Sequence, residues 1–190
     1  MSTWYILDPM NRIVAAGGDW DAFAAENDSP SASVENIVGR SLEEYVSGLE
    51  TQLYLSSLFQ LCREAEAAHS FLYRCDAPWM ARLFQMRVEP GEKPGELRVI
   101  HELIRSRAAG PGGVREVFEA SEAEVDGAPR CSICNAVKLG EVWHDVYARP
   151  EKKFFVSGYA LCPSCSAHDP ARQDEQMLRV FDAVPPQVGT

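Results

Sequence analysis

Ser70-Phe-Leu-Tyr-Arg-Cys75, Met80-Ala-Arg-Leu-Phe-Gln-Met-Arg-Val88 and Glu96-Leu-Arg-Val-Ile-His-Glu-Leu-Ile104 decide how this chain is read. Each run has the length of a strand. Asp76-Ala-Pro78 and Pro90-Gly-Glu-Lys-Pro-Gly95 supply turn chemistry between them. In the middle run Phe84, Met86 and Val88 alternate with Gln85 and Arg87, which predicts a half-buried antiparallel strand. The strongest helical pattern of the chain precedes the three runs, over residues 50–69. There Leu55, Leu58, Phe59 and Cys62 fall on one helical face, and Arg63, Glu64 and Glu66 on another.

Toward the N-terminus, Trp4–Asp8 and Ile13–Ala16 flank the turn residues Pro9-Met-Asn-Arg12 and predict an opening β-hairpin. Asp19 is placed to cap a short helix over Trp20–Glu26. Asn27–Ser33 reads as a surface loop, and Ser41 with Glu44 has capping-box spacing. Toward the C-terminus, Ala108-Ala-Gly-Pro-Gly-Gly113 breaks the pattern, and Val114–Val125 reads as a short acidic connecting helix. Asp169 or Asp174 is positioned to cap a last helix through Val184, with Met177, Leu178 and Phe181 on one side and Pro185-Pro186 as its stop.

Beyond that break stand two CxxC pairs, Cys131-Ser-Ile-Cys134 and Cys162-Pro-Ser-Cys165. Two such knuckles can bring four thiolates to the corners of a tetrahedron, which Zn²⁺ accepts from sulfur. A closed four-cysteine site leaves no coordination position for a substrate, so the expected role is a structural staple for a segment too small to hold its own core. His144 and His168 are the histidines that could replace one thiolate. The sharper reading of the same cysteines is a redox switch that releases zinc on oxidation.

The net charge is −10, and residues 130–190 contribute none of the excess. Affinity for nucleic acid comes from basic groups that displace counterions, so this distribution argues against direct DNA binding. No apolar run approaches the ~20 residues that span a bilayer. The N-terminal Met1-Ser-Thr-Trp-Tyr-Ile-Leu-Asp has no basic region and too short an apolar stretch for a signal peptide. The expected location is therefore cytoplasmic, where paired cysteines bind metal more often than they form disulfides. No Walker-type glycine loop, GxSxG, HExxH or dinucleotide fingerprint is present, and the expectation is a chain that is not an enzyme.

The order of two strands, short helices, one longer helix and three antiparallel strands resembles the PAS fold. Local sequence is similar too. Tyr5-Ile-Leu-Asp-Pro-Met-Asn-Arg-Ile-Val14 with Trp20-Asp-Ala-Phe23 resembles the first hairpin and helix of bacterial PAS-like sensor domains. Ile37-Val-Gly-Arg-Ser-Leu42 resembles the step before their long helix, and Tyr73-Arg-Cys-Asp-Ala-Pro78 a strand end of some relatives. The resemblance covers about residues 3–106. The cysteine segment, with Gly140-Glu-Val-Trp143 and Leu161-Cys-Pro-Ser-Cys165, resembles short zinc-ribbon segments attached to bacterial signalling domains. Those relatives carry Ser-His-Gly before the second knuckle, where this chain has Ser157-Gly-Tyr-Ala160, so no histidine role carries over.

The resemblance implies an α+β fold: a five-stranded antiparallel sheet ordered 2-1-5-4-3 with helices on one face, plus a small C-terminal zinc ribbon. The expected organisation is a PAS-like sensory domain over 1–107, a linker or connecting helix over 108–129, the ribbon over 130–170, and a helix and tail over 171–190. It further implies a pocket between the long helix and the sheet, with Leu55, Phe59, Cys62, Met86 and His101 as its lining. Such a pocket takes a small-molecule ligand, or a haem or flavin, for which His101 would be the axial contact. His101 also reads simply as a satisfied core or edge histidine, and His69 as a helix-end histidine suited to the dipole. Cys62 reads as a buried small hydrophobe and Cys75 as a candidate reactive thiol. Trp79 and Trp143 read as packing residues or partner anchors.

The function implied is that of a non-enzymatic sensor or adaptor of bacterial signalling, working through a signalling partner or a ligand. The alternatives are a redox-responsive metalloprotein and a transcription regulator that uses the zinc ribbon. A homodimer through Trp4 and Val114–Val125 is also expected.

Overall fold

The structure, a computed structural model, describes residues 1–77, 80–108, 117–119, 127–146, 154–167, 174–175, 177–179 and 181. The chain opens with strands β1 (Ser2–Leu7) and β2 (Ile13–Gly18), followed by helices α1 (Trp20–Glu26), α2 (Val34–Ile37) and α3 (Leu49–Ala65). Strands β3 (His69–Arg74), β4 (Met80–Pro90) and β5 (Leu97–Ala108) complete a five-stranded sheet in the order β2-β1-β5-β4-β3. This is the PAS-like architecture. A second five-stranded sheet, ordered β6-β10-β7-β8-β9, is built from β6 (Val117–Glu119), β7 (Ala128–Cys131), β8 (Val137–Leu139), β9 (Val142–His144) and β10 (Phe154–Ala160). Helix α4 (Pro163–Ser166) follows it.

The opening hairpin forms because Asp8 organises its turn: its Oδ1 accepts the backbone N–H groups of Met10 and Arg12, each at 2.8 Å. Strand β1 alternates, burying Thr3, Tyr5 and Leu7. These stand opposite His101, Val99 and Leu97 of β5, so the two strands turn one shared face inward. Arg63 of α3 fastens the hairpin turn, donating from Nη2 to Asp8 O and Asn11 Oδ1, both at 2.9 Å.

Three local expectations change. Asp19 makes no side-chain cap for α1, because its Oδ2 instead accepts the Ser2 N–H at 2.9 Å. Helix α3 stops at Ala65 rather than His69: Glu66 turns into the left-handed region at φ 48°, and His69 opens β3. His69 therefore has no helix dipole to answer. Residues Val117–Glu119, expected within a connecting helix, form β6 and pair in parallel with β10. Partner strands override a weak local helical pattern. The rest of Val114–Val125 lies outside the described residues, as do Trp79, His168, Asp169 and Pro185-Pro186.

Two compact units share the chain. One holds Met1–Ser47, Gln52–Phe71 and Gln85–Leu103; the other holds Gly48–Thr51, Leu72–Phe84 and Ile104–Thr190. In the first, Leu7, Ile13, Ile37, Phe59, Cys62, Val88, Leu97 and Val99 are buried. In the second, Leu72, Leu83, Phe84, Val137, Val146 and Val156 are buried, together with Met177 and Phe181 of the C-terminal helical residues. The Arg107 guanidinium lies 5.3 Å over the Phe181 ring. Asp174 is one of the helical residues there, and its Oδ1 accepts the Leu72 N–H at 2.7 Å. Among the described residues no helix is long and apolar enough to cross a membrane.

Candidate metal centre

Each CxxC pair is placed by a strand that runs into a tight turn. Strand β7 ends on Cys131, whose N–H donates to Ala136 O at 2.7 Å, and Asn135 N donates back to Cys131 O at 2.9 Å. Asn135 takes the left-handed conformation the knuckle needs, at φ 61°. The second pair follows β10. Cys162 caps α4, Pro163 occupies the first helical position, and Cys165 N donates to Cys162 O at 3.0 Å. Parallel pairing of β10 with β7 sets Ala160 beside Cys131, so the two knuckles converge.

The four sulfurs of Cys131, Cys134, Cys162 and Cys165 lie within 4.8 Å of one another. Sulfurs about 2.3 Å from a common tetrahedral centre stand about 3.8 Å apart. The Cys134–Cys162 Sγ···Sγ separation is 3.7 Å, so the cluster fits a Cys₄ zinc site. Cys131, Cys162 and Cys165 are buried, and the Cys162 N–H points at Cys131 Sγ at 3.4 Å. Thiols this close share their protons. Hydrogen bonds from Cys134, then Cys162 and Cys165, hold Cys131 below the ordinary thiol range, while Cys131, Cys134 and Cys162 push Cys165 far above it. A divalent cation held by Cys131, Cys134, Cys162 and Cys165 would relieve this crowding by taking all four as thiolates. His144 sits in β9 opposite Val137 and is not part of the cluster.

A network the sequence did not announce surrounds the first knuckle. The Arg74 side chain is 2% exposed and pairs with Asp76 at 2.7 Å and with Asp145. Asn135 Nδ2 donates to Asp76 Oδ2 at 3.1 Å, and Arg74 N donates to Ile133 O at 2.7 Å. The available signal was an arginine in strand phase with Leu72. Which of 28 carboxylates answers it is not readable from spacing.

One small opening lies beside α3. Leu55 and Phe59, with Leu42, Val46 and Gln52, line an opening of about 10 Å³, room for a single water. Cys62, Met86 and His101 do not line it. Cys62 is fully buried with its Sγ 3.0 Å from Ala67 O, and burial raises its pKa. Met86 is a buried strand residue. His101 stacks on Tyr5 at 5.6 Å, and burial lowers its pKa to about 4. Haem and flavin occupy sites of several hundred Å³, so this opening does not fit either. Cys75 is half-buried and its thiol pKa is raised, chiefly by burial, so it is not an activated thiolate.

No family model matches the chain, and no curated protein matches it. Solved structures do. A domain of an HTR-like protein from Haloarcula marismortui aligns with 13% identity and a TM-score of 0.40, covering 55% of this chain and 98% of that one. The PAS domain of nitrogen regulation protein NR(II) from Vibrio parahaemolyticus aligns with 17% identity and a TM-score of 0.34, covering 55% and 88%.

Proposed function

We propose that this chain is a cytosolic, non-enzymatic sensor or adaptor of a signalling system, with a structural zinc ion held by Cys131, Cys134, Cys162 and Cys165. The observation that carries the reading is the gathering of four sulfurs within 4.8 Å of one another in a chain that also builds a PAS-like sheet. A four-thiolate set is coordinatively closed, so zinc here holds the fold and activates no water. In this reading the signal comes from a protein partner; the opening beside Leu55 and Phe59 has room for one water.

Metal analysis and an absorption spectrum of the native protein test this. One zinc per chain, lost when Cys131 is replaced by serine, and no Soret or flavin band are expected. Zinc well below one per chain overturns the metal assignment, and a cofactor band overturns the partner-driven reading.

A further inference from the structure

The residues that begin α3 hold both cysteine knuckles. Glu50 Oε2 accepts the N–H of Leu161, the residue before Cys162, at 2.8 Å. Thr51, buried at 7% exposure, shares a 2.5 Å hydrogen bond with the hydroxyl of Ser132, between Cys131 and Cys134. Gly48 approaches the strand feeding the second knuckle so closely that a Cβ would stand 2.7 Å from Tyr159 O. Three residues within one four-residue stretch thus reach both halves of the cluster, and all of them belong to the same compact unit as the cysteines. From this turn α3 continues without a break to Ala65.

Knuckle turns of this kind keep their shape through the metal, because binding energy at a structural zinc site is folding energy. Groups that orient a ligand-bearing turn in return raise metal affinity, and such coupling is reciprocal. Building on the zinc assignment above, we propose that metal occupancy of the cysteine cluster controls whether the first turn of α3 is held, with Glu50 and Thr51 as positioning residues for the metal. Holding the ion locks Leu161 and Ser132 in place, and with them Gly48–Thr51. Losing it releases the start of the helix. The device makes zinc occupancy itself a signal, read at the start of the helix.

The test uses the full chain, zinc-loaded and after chelation, with amide hydrogen exchange followed by mass spectrometry. Chelation is expected to speed exchange over residues 49–54 about tenfold or more, while Tyr5, Leu7, Leu97 and Val99 keep their protection. Chelator competition on Thr51→Val and Glu50→Gln is expected to show about tenfold weaker zinc binding, with Leu53→Ser, an exposed change on the same helix, matching the parent. A chain that binds one zinc, yet shows identical exchange with and without it and parent affinity in both variants, overturns this inference alone. A chain that binds no zinc overturns the metal assignment and the inference together.

Discussion

Arg74, at the end of β3, is paired with Asp145, a residue 71 positions later in the chain, and the arginine side chain is 2% exposed. Asp76 occupies the other side of the guanidinium with its own side chain 3% exposed. A charge this deeply placed is tolerated because two carboxylates and their hydrogen bonds surround it. Its backbone N–H also anchors Ile133, so one residue ties a strand end to the first cysteine knuckle.

Arg74→Met removes the cation that both Asp76 and Asp145 pair with. We expect a loss of about 3–5 kcal/mol in folding stability, read as a lower denaturant midpoint. A loss below about 1 kcal/mol contradicts the account of a mutually dependent network. Arg40→Met, whose pair with Glu44 is solvent-exposed, serves as the control and should cost under about 1 kcal/mol.

Gly48 and Gly140 both adopt positive φ, at +88° and +60°, but only Gly48 is crowded. Alanine at Gly140 meets nothing within 4 Å and should cost about 1 kcal/mol from backbone strain alone. At Gly48 the added methyl collides with Tyr159 O, so the cost should be clearly larger, about 2 kcal/mol or more. Equal thermal midpoints for the two variants would argue against the close approach.

His101 has its pKa lowered to about 4 from an ordinary 6.5, because burial disfavours the imidazolium. The unfolded chain therefore binds the proton first as pH falls. Stability is unaffected above about pH 6.5, declines between pH 6.5 and 4, and levels off below 4, for a total of about 3 kcal/mol. His101→Gln should flatten this portion of the stability–pH curve. An unchanged slope in the variant removes His101 as its cause.

Removing the metal should lower the thermal unfolding midpoint of the full chain, since a ligand bound only to the folded state stabilises it by mass action. Zinc competes with protons for four sulfurs, so binding weakens as pH falls and releases protons when it occurs. Calorimetry in buffers of different ionisation enthalpy reads that release. A buffer-independent heat would contradict thiolate ligation.

Much of the first sheet was legible because strand alternation and the i, i+3, i+4, i+7 stripe of α3 report directly which faces are buried. Phe84, Met86 and Val88 are buried as their alternation predicts, and α1 occupies Trp20–Glu26. The four cysteines were legible for a different reason: ligand type and knuckle spacing are themselves the chemistry. What did not show was any partner of long sequence separation. Thr51 and Ser132 are 81 residues apart, Glu50 and Leu161 are 111 apart, and neither pair has a periodic signature.

The sequence by itself therefore determined the sheet-forming pattern, the long helix and which four cysteines form the candidate metal site, because each follows from local spacing and side-chain chemistry. Tertiary structure alone decided where α3 ends, that Val117–Glu119 pair as a strand, and that the start of α3 and the end of β3 hold the cysteine knuckles. Such contacts are selected by the global packing of distant segments, where a buried donor takes whichever acceptor the fold delivers to it.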